Sequence, residues 1–232
     1  MEPRPALLLF ARTPRPGGVK TRLAPRLGGD GASALYEAFI EDAGRTYLSP
    51  AKWASVLWAE PDASAPVFER CFPPPWERRA QAAGDLGAKL SAAFAAAFAV
   101  GAPVAVAVGA DHPALTRAAV EEIFETLGDG ARAALVPAED GGYCAIGLSA
   151  GVPLPAVFDS MAWSTDGVLA ETVARLSSAG VVHRLLAPAY DVDRPEDLER
   201  LGRDLAARDP RAEDFPRATA DALRALGQRV AR

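Results

Sequence analysis

The sequence contains no asparagine, two histidines, two cysteines and three lysines (Lys20, Lys52, Lys89) against 22 arginines. Each shortage excludes something. Cys71 and Cys144 cannot build a disulfide framework, and neither belongs to a CxxC pair. His112 and His183 are too few for a His-rich zinc site. No apolar run reaches bilayer length; residues 92–109 come nearest and are interrupted by Gly101 and Pro103. The amino-terminal segment lacks the apolar stretch of a secretory signal, so a reducing cytoplasm is the expected compartment and no membrane insertion is expected. Surplus positive charge is also missing. The net charge of -5 argues against a nucleic-acid partner or an anionic membrane surface.

What remains is a soluble globular composition, 50% hydrophobic and 24% charged over 232 residues. That length suits one α/β domain over 1–232, able to hide roughly 70% of its unfolded surface. Because arginine is used almost everywhere, a lysine carries slightly more information than usual.

Residues 6–11 form a continuous apolar run, as a buried parallel strand does. A Pro- and Gly-rich loop from Thr13 to Gly31 follows it. Further strands are expected at 53–59, 78–82, 103–108, 132–137, 143–148 and 181–187. Helices are expected at 32–48, 63–70, 86–99, 116–127, 165–178, 195–207 and 217–230, with Thr116 as a cap. Glu139-Asp140-Gly141-Gly142 reads as a hairpin turn. This alternation predicts a Rossmann-like, three-layer α/β/α fold with a mostly parallel sheet. Ligands of such sheets sit at the carboxyl ends of the strands, where the unusual segments 12–22, 109–113 and 138–143 fall.

Arg12, Arg15, Lys20, Arg22 and Arg26 place five positive charges in fifteen residues of an acidic chain. Gly17 and Gly18 let backbone N–H groups approach an oxyanion, and Lys20 and Arg22 are expected to neutralise nucleotide phosphates. Neither the Walker A spacing nor GxGxxG is present. Asp111, just past a buried strand, is placed to hold Mg²⁺ against a phosphate, or else caps a turn before Pro113. Asp191 and Asp193, two apart on an extended segment, either complete the shell of that metal or, with Asp193 as cap, start the next helix. Glu139, Asp140 and Tyr143 are expected to face the same cleft.

Taken in order, FARTPRPGGVKTRLAP at 10–25, GDLG at 84–87, GADHPAL at 109–115, PAEDGGYCAIGL at 137–148, WST at 163–165 and DVDRPEDL at 191–198 resemble a bacterial family of small glycosyltransferase-A-like proteins. That family belongs with nucleotide-diphospho-sugar transferases and is related to phospholactate and molybdopterin guanylyltransferases; some members are tied to arsenosugar biosynthesis. The resemblance implies a nucleotide site in the first half of the sheet, using Phe10, Arg12, Gly17, Gly18, Lys20, Thr21, Arg22, Gly84 and Asp85. It implies Mg²⁺ or Mn²⁺ on Asp111, with Asp193 and Asp191, and an acceptor near Glu139, Asp140, Tyr143 and Trp163. Two departures stand out: Arg26 takes the place of a lysine after Pro25, and Gly109 takes the place of the first Asp of Asp-x-Asp. The expected activity is nucleotidyl transfer from an NTP to a small phosphorylated or hydroxyl acceptor, with Lys20, Arg22 and Asp111 as the catalytic groups. Glycosyl transfer from a nucleotide sugar, and nucleotide binding without catalysis, are the alternatives.

Overall fold

In the computed structural model, which describes residues 3–228, seven strands form one sheet. They are β1 (Ala6–Arg12), β2 (Ala54–Glu60), β3 (Glu77–Ala80), β4 (Val104–Gly109), β5 (Ala133–Pro137), β6 (Tyr143–Ser149) and β7 (His183–Leu185), in the order β3-β2-β1-β4-β6-β5-β7. Only β6 runs against its neighbours, antiparallel to both β4 and β5. The reversal follows from the connection over residues 138–142, which is too short for a parallel crossover.

Alternate residues of each strand face opposite layers. Leu7, Leu9 and Ala11 pack with Val106 and Val108 under α1 (Ala24–Thr46), α2 (Pro66–Cys71), α4 (Arg117–Gly128), α7 (Pro195–Ala207) and α8 (Arg217–Ala225). Ala6 and Leu8 pack with Ala105 and Ala107 on the other side, under α3 (Leu86–Ala99), α5 (Leu154–Phe158) and α6 (Val168–Ser178). Phe94 and Phe158 stack there at 5.9 Å, both fully buried. Burial of a ring of this size contributes about 1.5–3 kcal/mol. The three-layer fold and the β5–β6 hairpin are as the sequence predicts.

Several boundaries differ. The expected loop 13–31 ends early, because α1 begins at Ala24. Pro25 sits in its first turn, where a missing N–H costs nothing, and Gly28 (φ 73°) interrupts the helix without ending it. The helix expected at 165–178 starts only at Val168, and α5, with Pro153 before it and Pro155 in its first turn, is additional. The last strand shrinks from 181–187 to His183–Leu185. Of the helix expected at 217–230, α8 occupies Arg217–Ala225, and residues 229 and 230 lie outside the described residues. Thr116 caps α4 as expected, its Oγ1 accepting from the Ala119 N–H at 3.2 Å. Asp193 does not cap α7; Arg194 holds that position. No helix among the described residues is long and apolar enough to cross a membrane.

Candidate active site

The loop after β1 is pinned by two buried apolar anchors, Val19 and Leu23. Between them Lys20 adopts φ 45°, a left-handed conformation that a lysine rarely takes. The result is an inward-facing side chain, 4% exposed. Its Nζ lies 3.4 Å from Asp111 Oδ2 and 3.6 Å from Asp193 Oδ1. Arg22, by contrast, lies in solvent and donates to Asp193 Oδ2 at 2.8 Å.

Asp193 reaches this place through the backbone. The Val192 N–H donates to the Asp111 carbonyl at 3.3 Å, tying the segment before α7 to the end of β4. Asp197, in the first turn of α7, accepts the N–H groups of Asp193 and Arg194 at 2.9 and 2.6 Å. The capping job thus falls to Asp197, and the Asp193 carboxylate is left for Lys20 and Arg22. Two aspartates about eighty residues apart in sequence meet on one ammonium.

Burial pushes the Asp111 carboxyl up, but Lys20 and His112 outweigh it and hold the group well below the usual carboxylate range. Asp191 lines the same cleft, and burial pushes its carboxyl up, with Asp140 adding to the shift. Among the described residues, no group of three or more His, Cys, Asp or Glu converges as a metal site. The convergent pair is Asp111 with Asp193. A two-carboxylate pair fits Mg²⁺, which commonly takes one or two carboxylates and completes its shell with phosphate and water.

The cleft has two connected compartments. The first, about 490 Å³, lies against β1, β2 and the start of α3, with Phe10, Arg12, Glu60, Gln81, Gly84, Asp85 and Lys89 on its walls. Glu60 sits between Arg12 at 3.0 Å and Lys89 at 2.5 Å. Asp85 also caps α3, accepting from the Ala88 N–H at 2.9 Å. The second compartment, about 700 Å³, is lined by Gly18, Lys20, Thr21, Arg22, Asp140, Tyr143, Trp163, Asp191 and Asp193. Tyr36 and Asp111 border both. A further cavity of about 390 Å³ lies at the amino ends of β1 and β2, away from these charges.

The wall opposite Lys20 depends on one glycine. Gly141 has φ 89°, and a Cβ there would lie 2.0 Å from the Asp166 carbonyl oxygen. The Leu169 N–H donates to the Gly141 carbonyl at 2.8 Å. The hairpin therefore docks backbone to backbone on Asp166 and the first turn of α6.

Two expected site residues stand apart. Glu139 turns to Arg200 on α7 (2.6 Å) and does not line the cleft. Gly17 shapes the loop at φ 74° but is not on the cleft wall. Sequence reasoning missed Tyr36, Glu60, Gln81, Lys89 and Asp166. Tyr36 had a signal, one helical turn before Phe39 and Ile40 on the buried face of α1. Its hydroxyl accepts the Arg12 N–H at 3.1 Å, and Lys20 Nζ lies 5.9 Å from its ring centroid. Lys89 had the weaker signal of being a rare lysine.

This mostly parallel seven-stranded α/β fold is one the chain shares with solved transferase structures. A structure from Desulfovibrio desulfuricans G20, provisionally named a nucleotide-diphospho-sugar transferase, superposes with TM-score 0.84 at 30% identity, covering 97% of this chain and 96% of that one. A cytidylyltransferase from Leptospira borgpetersenii serovar Hardjo-bovis (strain JB197) shares the fold at TM-score 0.60 and 11% identity, covering 97% and 94% of the two chains. The chain belongs to the family described as "Uncharacterized protein conserved in bacteria (DUF2064)", whose profile matches residues 45–165. No curated protein matches the sequence.

Proposed function

We propose that this protein is a metal-dependent, nucleotide-utilising transferase of one domain, moving a nucleotidyl group from an NTP to a small acceptor. One observation carries the reading: the buried Lys20 ammonium shared by Asp111 and Asp193 at the carboxyl ends of the central strands. An ammonium held by two carboxylates marks a place where phosphate charge and a divalent cation can be balanced together. Asp111 and Asp193 would hold Mg²⁺ or Mn²⁺, which supplies charge neutralisation on the phosphates when bound. Lys20 supplies a compact point charge, and Arg22 a fork able to take two phosphate oxygens. The base and ribose belong in the first compartment, between Phe10, Gly84 and the start of α3.

Transfer at the α-phosphorus demands little covalent help. The acceptor oxygen bonds to phosphorus, the bond to the bridging oxygen breaks, and pyrophosphate leaves; a hydroxyl acceptor gives up its proton to solvent water. Positioning and preorganised charge contribute most of the acceleration. The second reading, glycosyl transfer with release of a nucleoside diphosphate, is favoured by the name of the 30% identical relative.

Product analysis decides between them. Parent protein is mixed with NTPs or nucleotide sugars, Mg²⁺ or Mn²⁺, and a metabolite extract. Pyrophosphate release supports nucleotidyl transfer, and nucleoside diphosphate release supports the second reading. Absence of both, with nucleotide still bound in calorimetry, overturns the transferase reading in favour of a binding protein.

A further inference from the structure

The two walls of the larger compartment differ in charge. Its lysine and arginines come from the 12–22 loop or, as Arg194, from the segment that Lys20 and Arg22 hold, with His112 and the carboxylates of Asp111, Asp191 and Asp193 interspersed among them. The hairpin and the 163–168 segment contribute Asp140 and Asp166, the hydroxyls of Ser164 and Thr165, and the rings of Tyr143 and Trp163. They contribute no basic side chain to the compartment. The Tyr143 hydroxyl and the Trp163 indole N–H are themselves enclosed by protein, Trp163 Nε1 lying against Gly87 of α3, so these two residues offer the compartment ring surface.

We infer that the acceptor is a hydroxyl-rich molecule without negative charge, a sugar or polyol, bound against the hairpin wall. This rests on the transferase reading, in which nucleotide phosphates take the basic side. Carboxylates accept hydrogen bonds from hydroxyls and repel phosphate, and the repulsion is strengthened in a partly enclosed site. The exposed hydroxyls of Ser164 and Thr165 can each take part in a hydrogen bond with a polyol. A phosphorylated acceptor would bring its charge beside Asp140 and Asp166 and find no cationic partner on that wall. Exclusion of the wrong acceptor by like charge is a common source of specificity. The wall therefore separates the two acceptor types that nucleotidyl transfer admits in principle, and selects the uncharged one.

The test compares twins that differ by one phosphate: glycerol with glycerol 3-phosphate, glucose with glucose 6-phosphate, and glucosamine with glucosamine 6-phosphate. Each is titrated calorimetrically into the full-length protein, alone and with Mg²⁺ plus ATP, CTP, GTP or UTP. The expected result is at least one pair in which the unphosphorylated twin binds about tenfold tighter. Asp166→Lys, at an exposed side chain whose backbone holds the Gly141 contact, should shrink that ratio about tenfold. Asp140→Asn keeps the turn bond to the Gly142 N–H and should shrink it less, giving a second variant should the first unfold. The inference is overturned if no unphosphorylated twin binds more tightly, or if neither variant moves the ratio. Failure of every nucleotide to bind speaks against the transferase reading instead, since the titrations without nucleotide still report the acceptor ratio.

Discussion

Two carboxylates near α1 have opposite surroundings. Asp42 is 3% exposed and saturated: it accepts the N–H groups of Ala218 and Thr219 at 3.1 and 2.7 Å and pairs with Arg45 at 2.7 Å. It clamps the start of α8 onto α1. Asp111 is half-buried, and its contact with Lys20 is long, at 3.4 Å. The first network is closed, with short bonds and a rigid backbone partner. The second is open, with a buried cation, two loosely held anions and a cleft in front of them. Closed polar networks fix a fold; open ones keep charge available for a ligand.

The comparison can be broken most readily at Asp42. Asp42→Ala strands two N–H donors at the start of α8, and the expected loss is about 2–4 kcal/mol in urea denaturation. A loss well under 1 kcal/mol would show that the clamp is ornamental. Lys20→Met should do the reverse. Nucleotide affinity is expected to fall about ten- to hundredfold by calorimetry, while stability changes by about 1 kcal/mol or less. A stability loss as large as that of Asp42→Ala, with affinity intact, would merge the two networks into one structural class. Lys20→Gly sharpens the point, since relief of φ 45° offsets part of its cost. It should lose the same affinity as Lys20→Met and be slightly more stable.

The smallest effect belongs to an exposed pair. The hydrogen bond from Arg200 holds the Glu139 carboxyl below the usual range. A depressed carboxyl stabilises the fold above its unfolded pKa of about 4.3, and that stability is lost as pH falls through the lower folded value. Arg200→Ala should return Glu139 to about 4.3 in an NMR titration. The slope of stability between about pH 4.5 and 3 should flatten, with no change at pH 7 in nucleotide affinity. A drop in nucleotide affinity would place Glu139 in the site after all.

Much of this was legible in the sequence. Apolar runs such as ALLLFA and PVAVAV become central strands, and the glycine- and arginine-rich segment after the first of them becomes the cleft edge. Asp111 and Asp193 could be matched because strand ends gather at one edge of an open sheet. The early start of α1 was hidden because Pro25, Gly28, Gly29 and Gly31 all disfavour a helix interior, while buried Leu23 and Ala32 hold the segment in place. Tyr36, Glu60 and Gln81 were hidden for another reason. Each belongs to an ordinary helix or strand pattern, and only the packing of β1 against β2 and α1 turns it toward the cleft. Glu139 was misplaced because a turn residue's direction depends on its partner, here Arg200, some sixty residues away.

The reversed strand β6 has an evolutionary consequence. A parallel strand delivers its last residue to the ligand edge, and its loop must then travel back across a whole layer. β6 delivers its first residue, Tyr143, through a short turn over residues 138–142 from β5. One wall of the cleft is thus encoded in a short continuous cassette, residues 138–143, anchored at both ends by sheet hydrogen bonds. Such a cassette can be rewritten residue by residue, Gly141 excepted, without disturbing the loop that carries Lys20 and Arg22. Descendants of this fold can change what they accept while keeping how they hold a phosphate.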